Sequence, residues 1–129
     1  MAKLDAIGIV TGDLAASLRF YALLGVDVPS GDGDHVEAAL PGGLRLMWDT
    51  EDLIRKIDPE WQPPTGQRLT LAFRCESPAD VDGTFRRVID AGFGSAKEPW
   101  DAFWGQRYAQ VVDPDGNTVD LFAPLGDGG

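Results

Sequence analysis

Apolar and polar residues follow one another along this chain in an order that occurs twice. Leu4–Thr11 is dominated by Ile, Val and Ala and reads as a strand. Asp13 is placed to cap a helix whose apolar stripe is Leu14, Leu18, Tyr21 and Leu24, spaced for one face of an α-helix. Gly25 stops that helix as a C′ glycine would. A short strand, Val26–Val28, leads into a Gly- and Asp-rich loop. His35–Leu40 and Leu44–Trp48 then form a hairpin around Pro41-Gly42-Gly43. The second pass begins near Arg68. Leu69–Cys75 is strand-like, and Ser77-Pro78-Ala79-Asp80 opens a helix with a Ser cap, Pro in the first turn and an acid three positions on. Val81, Phe85, Val88 and Ile89 make its stripe, and Gly92 ends it. A short Gly-rich strand and a loop lead to the strand Gln106–Val112. Asp113-Pro114-Asp115-Gly116 turns the chain into a last strand, Asn117–Phe122.

The pattern predicts an α+β protein of two βαβββ modules in one domain, with curved mixed sheets that form a cleft. The modules span about 4–49 and about 68–124, joined by a connection over about 50–67. That connection holds a short helix, Thr50–Ile57 capped by Thr50, followed by Pro59, Trp61, Pro63 and Pro64. It is longer than most loops of compact domains, and such loops are often functional.

Composition narrows the chemistry. The 129 residues hold 11 Lys plus Arg against 21 Asp plus Glu, a formal charge of −10. Such a surface disfavours nucleic acid and anionic membranes as partners. One His and one Cys, His35 and Cys75, cannot build a zinc finger or an internal disulfide. The first twelve residues carry Asp5 in a short apolar run and match neither a secretory signal nor a span, so a cytoplasmic location is expected. Cys75 reads as a half-buried structural thiol.

Two stretches carry a resemblance. Asp13-Leu14-Ala15-Ala16-Ser17-Leu18-Arg19-Phe20-Tyr21 with Leu24-Gly25, and Asp113-Pro114-Asp115-Gly116-Asn117 with Val119-Asp120-Leu121-Phe122, resemble the vicinal oxygen chelate superfamily of glyoxalases, extradiol dioxygenases and bleomycin-resistance proteins. Trp48-Asp49-Thr50, Asp58-Pro59-Glu60-Trp61-Gln62, Pro64-Thr65-Gly66 and Trp104-Gly105-Gln106-Arg107-Tyr108-Ala109 look like its mitomycin-resistance, drug-sequestering branch. The resemblance implies metal ligands on the first and last strand of each module. Here those positions hold Ala6, Leu46, Thr70 and Asp120, of which only Asp120 is a strong donor. No metal and no other cofactor is expected. Asp120 is then either a polar anchor for a ligand or a partner for backbone groups or Arg107.

Without a metal, the aromatic residues are what the cleft has left. Phe20, Phe73, Phe85 and Phe122 sit in periodic runs and read as core. Trp100, Phe103 and Trp104 are expected in a loop before the strand bearing Tyr108. The resemblance implies a planar drug held between a His and a Trp at positions matching His35 and Trp104. The expected ligand-facing set is His35, Trp48, Trp61, Phe103, Trp104, Tyr108 and Asp120. Asp32, Asp34, Glu37, Asp49 and Glu51 are expected near the rim, where free acids would favour a cationic ligand. The reading is a protein that sequesters a planar antibiotic, and the resemblance implies that it is a homodimer. Its rivals are a metal-dependent lyase or dioxygenase and an accessory metabolite-binding protein.

Overall fold

The computed structural model describes residues 1–29 and 33–126. Its contacts divide into two units, Met1–Pro64 and Thr65–Gly129. Asp32 lies outside the described residues.

In the first unit, β1 (Ala6–Thr11) runs into α1 (Leu14–Leu23). Asp13 caps the helix as its sequence position requires: its carboxylate accepts from the Ala16 N–H at 3.1 Å. β2 (His35–Ala39) and β3 (Arg45–Thr50) form the hairpin, and β1 lies parallel to β3 in a sheet of order β1-β3-β2. The helix buries Ala16, Ser17, Leu18, Phe20 and Tyr21 rather than the predicted stripe, of which only Leu18 and Tyr21 are fully covered. The core is aromatic. The rings of Phe20 and Tyr21 meet edge to face at 4.9 Å, and Tyr21 meets Trp48 in the same way at 5.9 Å.

The predicted strand Val26–Val28 does not form. Val26 donates to the Tyr21 carbonyl and Val28 to the Val26 carbonyl, so the backbone is used at the helix end rather than in a ladder. The first sheet therefore has three strands. α2 (Glu51–Ile57) follows directly, with the Thr50 hydroxyl accepting from the Leu53 N–H at 3.1 Å.

In the second unit, β4 (Leu71–Arg74), α3 (Pro78–Asp90), β5 (Gly94–Ala102), β6 (Gln106–Val112) and β7 (Thr118–Pro124) build a sheet of order β4-β7-β6-β5. β4 and β7 are parallel; the other pairs are antiparallel. Ser77 caps α3, and Asp80 returns a bond to the Glu76 N–H. Val81, Thr84 and Val88 point into the unit, whereas the predicted Phe85 and Ile89 are half-buried. Their neighbours are Ala109 and Val111 of β6 and Val119, Leu121 and Ala123 of β7, all at most 1% exposed.

β5 departs most from the sequence reading. It continues through Pro99 and Trp100 to Ala102, with irregular register between Ser95 and Lys97 and between Lys97 and Trp100. β5 is an edge strand, where bulges and a proline are tolerated. The residues that looked like the end of a strand are absorbed as bulges within it. The two units together are α+β, two βαβββ-like modules with mixed sheets of three and four strands. No described helix is long and apolar enough to cross a membrane.

Candidate aromatic ligand site

Because α3 covers one face of the second sheet, alternation along each strand turns the other residues to the opposite face. Register then aligns them across strands. Trp100 of β5 stands opposite Tyr108 of β6, Tyr108 opposite Phe122 of β7, and Phe122 opposite Arg74 of β4. The neighbouring row is Lys97, Gln110, Asp120 and Ala72. Phe122, expected as core, is half-buried on this face. Its apolar type gave no sign of which face it would take; only the register decides that.

The β5–β6 turn adds two more rings. Gly105, at φ +97°, bends the chain so that its N–H reaches the Ala102 carbonyl at 3.0 Å. That turn leaves Phe103 89% and Trp104 47% exposed. Trp104 is the centre of the cluster: its ring lies 5.0 Å from Phe103, 5.6 Å from Trp100 and 5.3 Å from Tyr108, edge to face in each case. Its indole N–H is already donated to Gln106 Oε1 at 2.8 Å. The exposed part of Trp104 therefore offers ring surface. Trp100, predicted in a loop, is a strand residue; its N–H is buried with no acceptor among the described residues. The Lys97 ammonium sits 4.8 Å from its ring centroid.

Asp120 takes its place in a polar network under these rings. It accepts from Gln110 Nε2 at 2.8 Å, and the Tyr108 hydroxyl is in hydrogen-bonding contact with both Asp120 and Gln110. Burial, then the Asp120 carboxylate, push the Tyr108 hydroxyl up to about 12, so it remains a donor at any physiological pH. Of the partners considered for Asp120, Arg107 is not one. Alternation sends Arg107 to the α3 face, where it grips both carboxylate oxygens of Asp82, at 2.9 and 3.2 Å, and Asp101 at 3.1 Å.

His35, Trp48 and Trp61 belong to the first unit. Trp48, expected along the cleft, is instead wholly buried in the core of that unit, with its N–H donated to the Ser17 hydroxyl at 3.1 Å. Alternation in β3 explains the correction: Leu46 and Trp48 face α1, and Arg45, Met47 and Asp49 the other side. Trp61 is half-buried after α2, with the Arg55 guanidinium 5.4 Å from its ring.

His35 is fixed at both ring nitrogens. Nδ1 bonds to Asp49 at 2.5 Å and Nε2 to Glu37 at 2.7 Å, and Glu37 also binds Arg45, which reaches Asp5. Glu37, then Asp49, raise the imidazole above its ordinary 6.5, while His35 and Arg45 hold Glu37 below its ordinary 4.5. The sign follows from linkage. The contribution of His35 to stability is complete below about pH 6.5 and fades as pH rises through the raised value; that of Glu37 is complete above about pH 4.5 and fades as pH falls. We predict a proton NMR titration midpoint for His35 above 6.5, brought down by Glu37→Gln. A midpoint at or below 6.5 in the parent chain would contradict the two-carboxylate clasp.

The expected acidic rim is largely neutralised within the unit. Asp34 pairs with Lys56, Glu37 with Arg45 and His35, Asp49 with His35, and Glu51 with Arg55. Cys75 is buried, and that burial pushes its thiol up, away from nucleophilic use.

The donors do not fit the divalent metal that the resemblance implies for enzymes. In the first unit, Ala6 offers no donor atom and Leu46 is buried and apolar. In the second, Thr70 is an exposed neutral hydroxyl ahead of β4, and Asp120 is engaged with Gln110 and Tyr108. The carboxylates around His35 approach opposite nitrogens and do not converge on one point. Among the described residues, no group of three or more His, Cys, Asp and Glu is arranged to hold a metal ion.

Comparison with known proteins agrees with this architecture. An uncharacterised protein of Mycobacterium bovis is 31% identical over 123 residues, covering 91% of this chain and 80% of that one. A glyoxalase/bleomycin resistance protein/dioxygenase family enzyme from Burkholderia phytofirmans shares the fold at a TM-score of 0.83 and 20% identity, covering 96% of this chain and 100% of its own. A glyoxalase/bleomycin resistance protein/dioxygenase from Nocardioides aligns at a TM-score of 0.75 and 26% identity, over 98% and 86% of the two chains. Residues 3–121 match the family described as glyoxalase/bleomycin resistance protein/dioxygenase. With that match spanning nearly the whole chain, on two βαβββ-like modules, the chain belongs to the glyoxalase/bleomycin resistance protein/dioxygenase superfamily.

Proposed function

We propose that this chain captures a planar cytotoxic antibiotic, mitomycin-like in shape, and holds it without a metal and without turnover. The observation that carries the reading is the half-exposed Trp104 ring. It is set edge to face against Trp100, Phe103 and Tyr108, and its N–H is already used by Gln106. Such a surface favours flat conjugated molecules, each stacked pair adding about 0.5–1.5 kcal/mol beyond burial. The likeness of Trp104-Gly105-Gln106-Arg107-Tyr108-Ala109 to the drug-sequestering branch points the same way. Both nitrogens of His35 are occupied, so neither is free to act as a base. The protein works as a homodimer in the cytoplasm and protects by lowering the free drug concentration, which requires protein in amounts comparable to the drug.

Titration of Trp fluorescence with planar quinone and quinoxaline antibiotics, and with a glycopeptide as a non-planar control, tests the proposal. Saturable quenching at one planar ligand per chain is the expected result. A flat response across the panel would defeat it.

A further inference from the structure

The aromatic row on the open face of the second sheet has a charged end. Arg74, on the edge strand β4, is exposed and stands opposite Phe122, on the side of the sheet that carries Tyr108 and Trp100. Among the described residues Arg74 has no ion-pair partner. Arg45, Arg55, Arg87 and Arg107 have carboxylate partners, and among the described arginines without one (Arg19, Arg68, Arg74 and Arg86) Arg74 is the one that stands in the aromatic row. Asp120 is the near acid on this face, but it stands opposite Ala72 and is held by Gln110 and Tyr108. At the other end of the row, Lys97 covers the Trp100 ring with its ammonium, and the buried Trp100 N–H has no acceptor among the described residues. The face is therefore rich in donors and cations at both ends, with rings between them. Neighbouring strands lie about 4.8 Å apart, so a flat bicyclic or tricyclic molecule over Phe122 and Tyr108 would bring one edge to Arg74.

We infer that the ligand of this face is a planar aromatic bearing a carboxylate or comparable oxyanion, which Arg74 receives through its guanidinium while the rings of Phe122, Tyr108 and Trp104 take the flat body. The inference rests on the capture reading above and names the ligand's chemistry. It reverses the expectation, drawn from net charge alone, of a cationic ligand. A guanidinium fork matches two carboxylate oxygens at once, which gives orientation as well as attraction. Arg74 is a specificity-determining residue in this account, and the rings supply the part of the affinity that does not depend on charge.

The test uses anthraquinone carboxylate and its uncharged amide, nearly identical in shape, against the intact chain and Arg74→Gln. The parent chain should prefer the carboxylate by about ten- to a hundredfold, as expected for a charge-assisted hydrogen bond. Arg74→Gln should erase that preference, weakening the carboxylate by about ten- to a hundredfold and the amide far less. The carboxylate's affinity in the parent chain should also fall with added salt, and the amide's should not. Equal affinities in the parent chain would overturn the inference and leave capture standing. So would an equal loss of both ligands in the variant. Failure of both probes and of the whole antibiotic panel would overturn the capture reading and this inference with it.

Discussion

Trp48→Ala is expected to cost about 3–5 kcal/mol of folding stability, the range for removing a large aromatic side chain from a packed core. Trp48 has no exposed surface, and its ring packs against Tyr21, which packs against Phe20. β3 holds its backbone between Ile9 on one side and Val36 on the other. Truncation removes these contacts and leaves the buried Ser17 hydroxyl without the indole donor. Against a total of about 5–15 kcal/mol for ordinary domains, this is a large share. Urea denaturation would show it as a fall in midpoint with little change in slope. A loss under about 1 kcal/mol would mean that Trp48 is not a core residue and would restore the cleft-facing role expected from sequence.

Trp104→Ala should do the reverse. Trp104 sits on a turn, half in solvent, and its removal should change stability by under about 1 kcal/mol, as surface substitutions usually do. Binding of the planar ligand should weaken by about 1–3 kcal/mol, or roughly 5- to 150-fold, because central aromatic rings carry much of the energy of such contacts. The variant keeps Tyr108, Trp100 and Phe103, so some affinity remains. Unchanged affinity in a folded Trp104→Ala chain would place the ligand elsewhere. On these expectations the two tryptophans separate into one that holds the fold and one proposed to hold the ligand.

Much of this was legible from residue order. Asp13, Thr50 and Ser77 stand where helix caps are expected, and each side chain accepts from the N–H three residues on. The strand expected over Gln106–Val112 has the bounds of β6, because the turns at Gly105 and Asp113-Pro114-Asp115-Gly116 leave little freedom. The misreadings share a cause. Val26–Val28 has strand composition, yet its backbone is spent at the end of α1. β5 contains Gly94 and Pro99, which read as an ending, but an edge strand tolerates both. Trp48 reads as cleft-facing and Phe122 as core, and each takes the opposite side of its strand. A shift of one residue exchanges the faces, and only pairing with a neighbour settles which face is covered. The acidic residues looked like a free rim because sequence lists charges without their partners; Arg45, Lys56, Arg55 and His35 supply those partners.

The central claim is capture without chemistry, and the most direct measurement is to saturate the purified chain with the planar antibiotic that quenches its fluorescence, then release and identify what was bound. One ligand per chain, recovered chemically unchanged after long incubation, is the result this account predicts. Recovery of an altered compound, in amounts exceeding the number of chains, would contradict it and establish turnover.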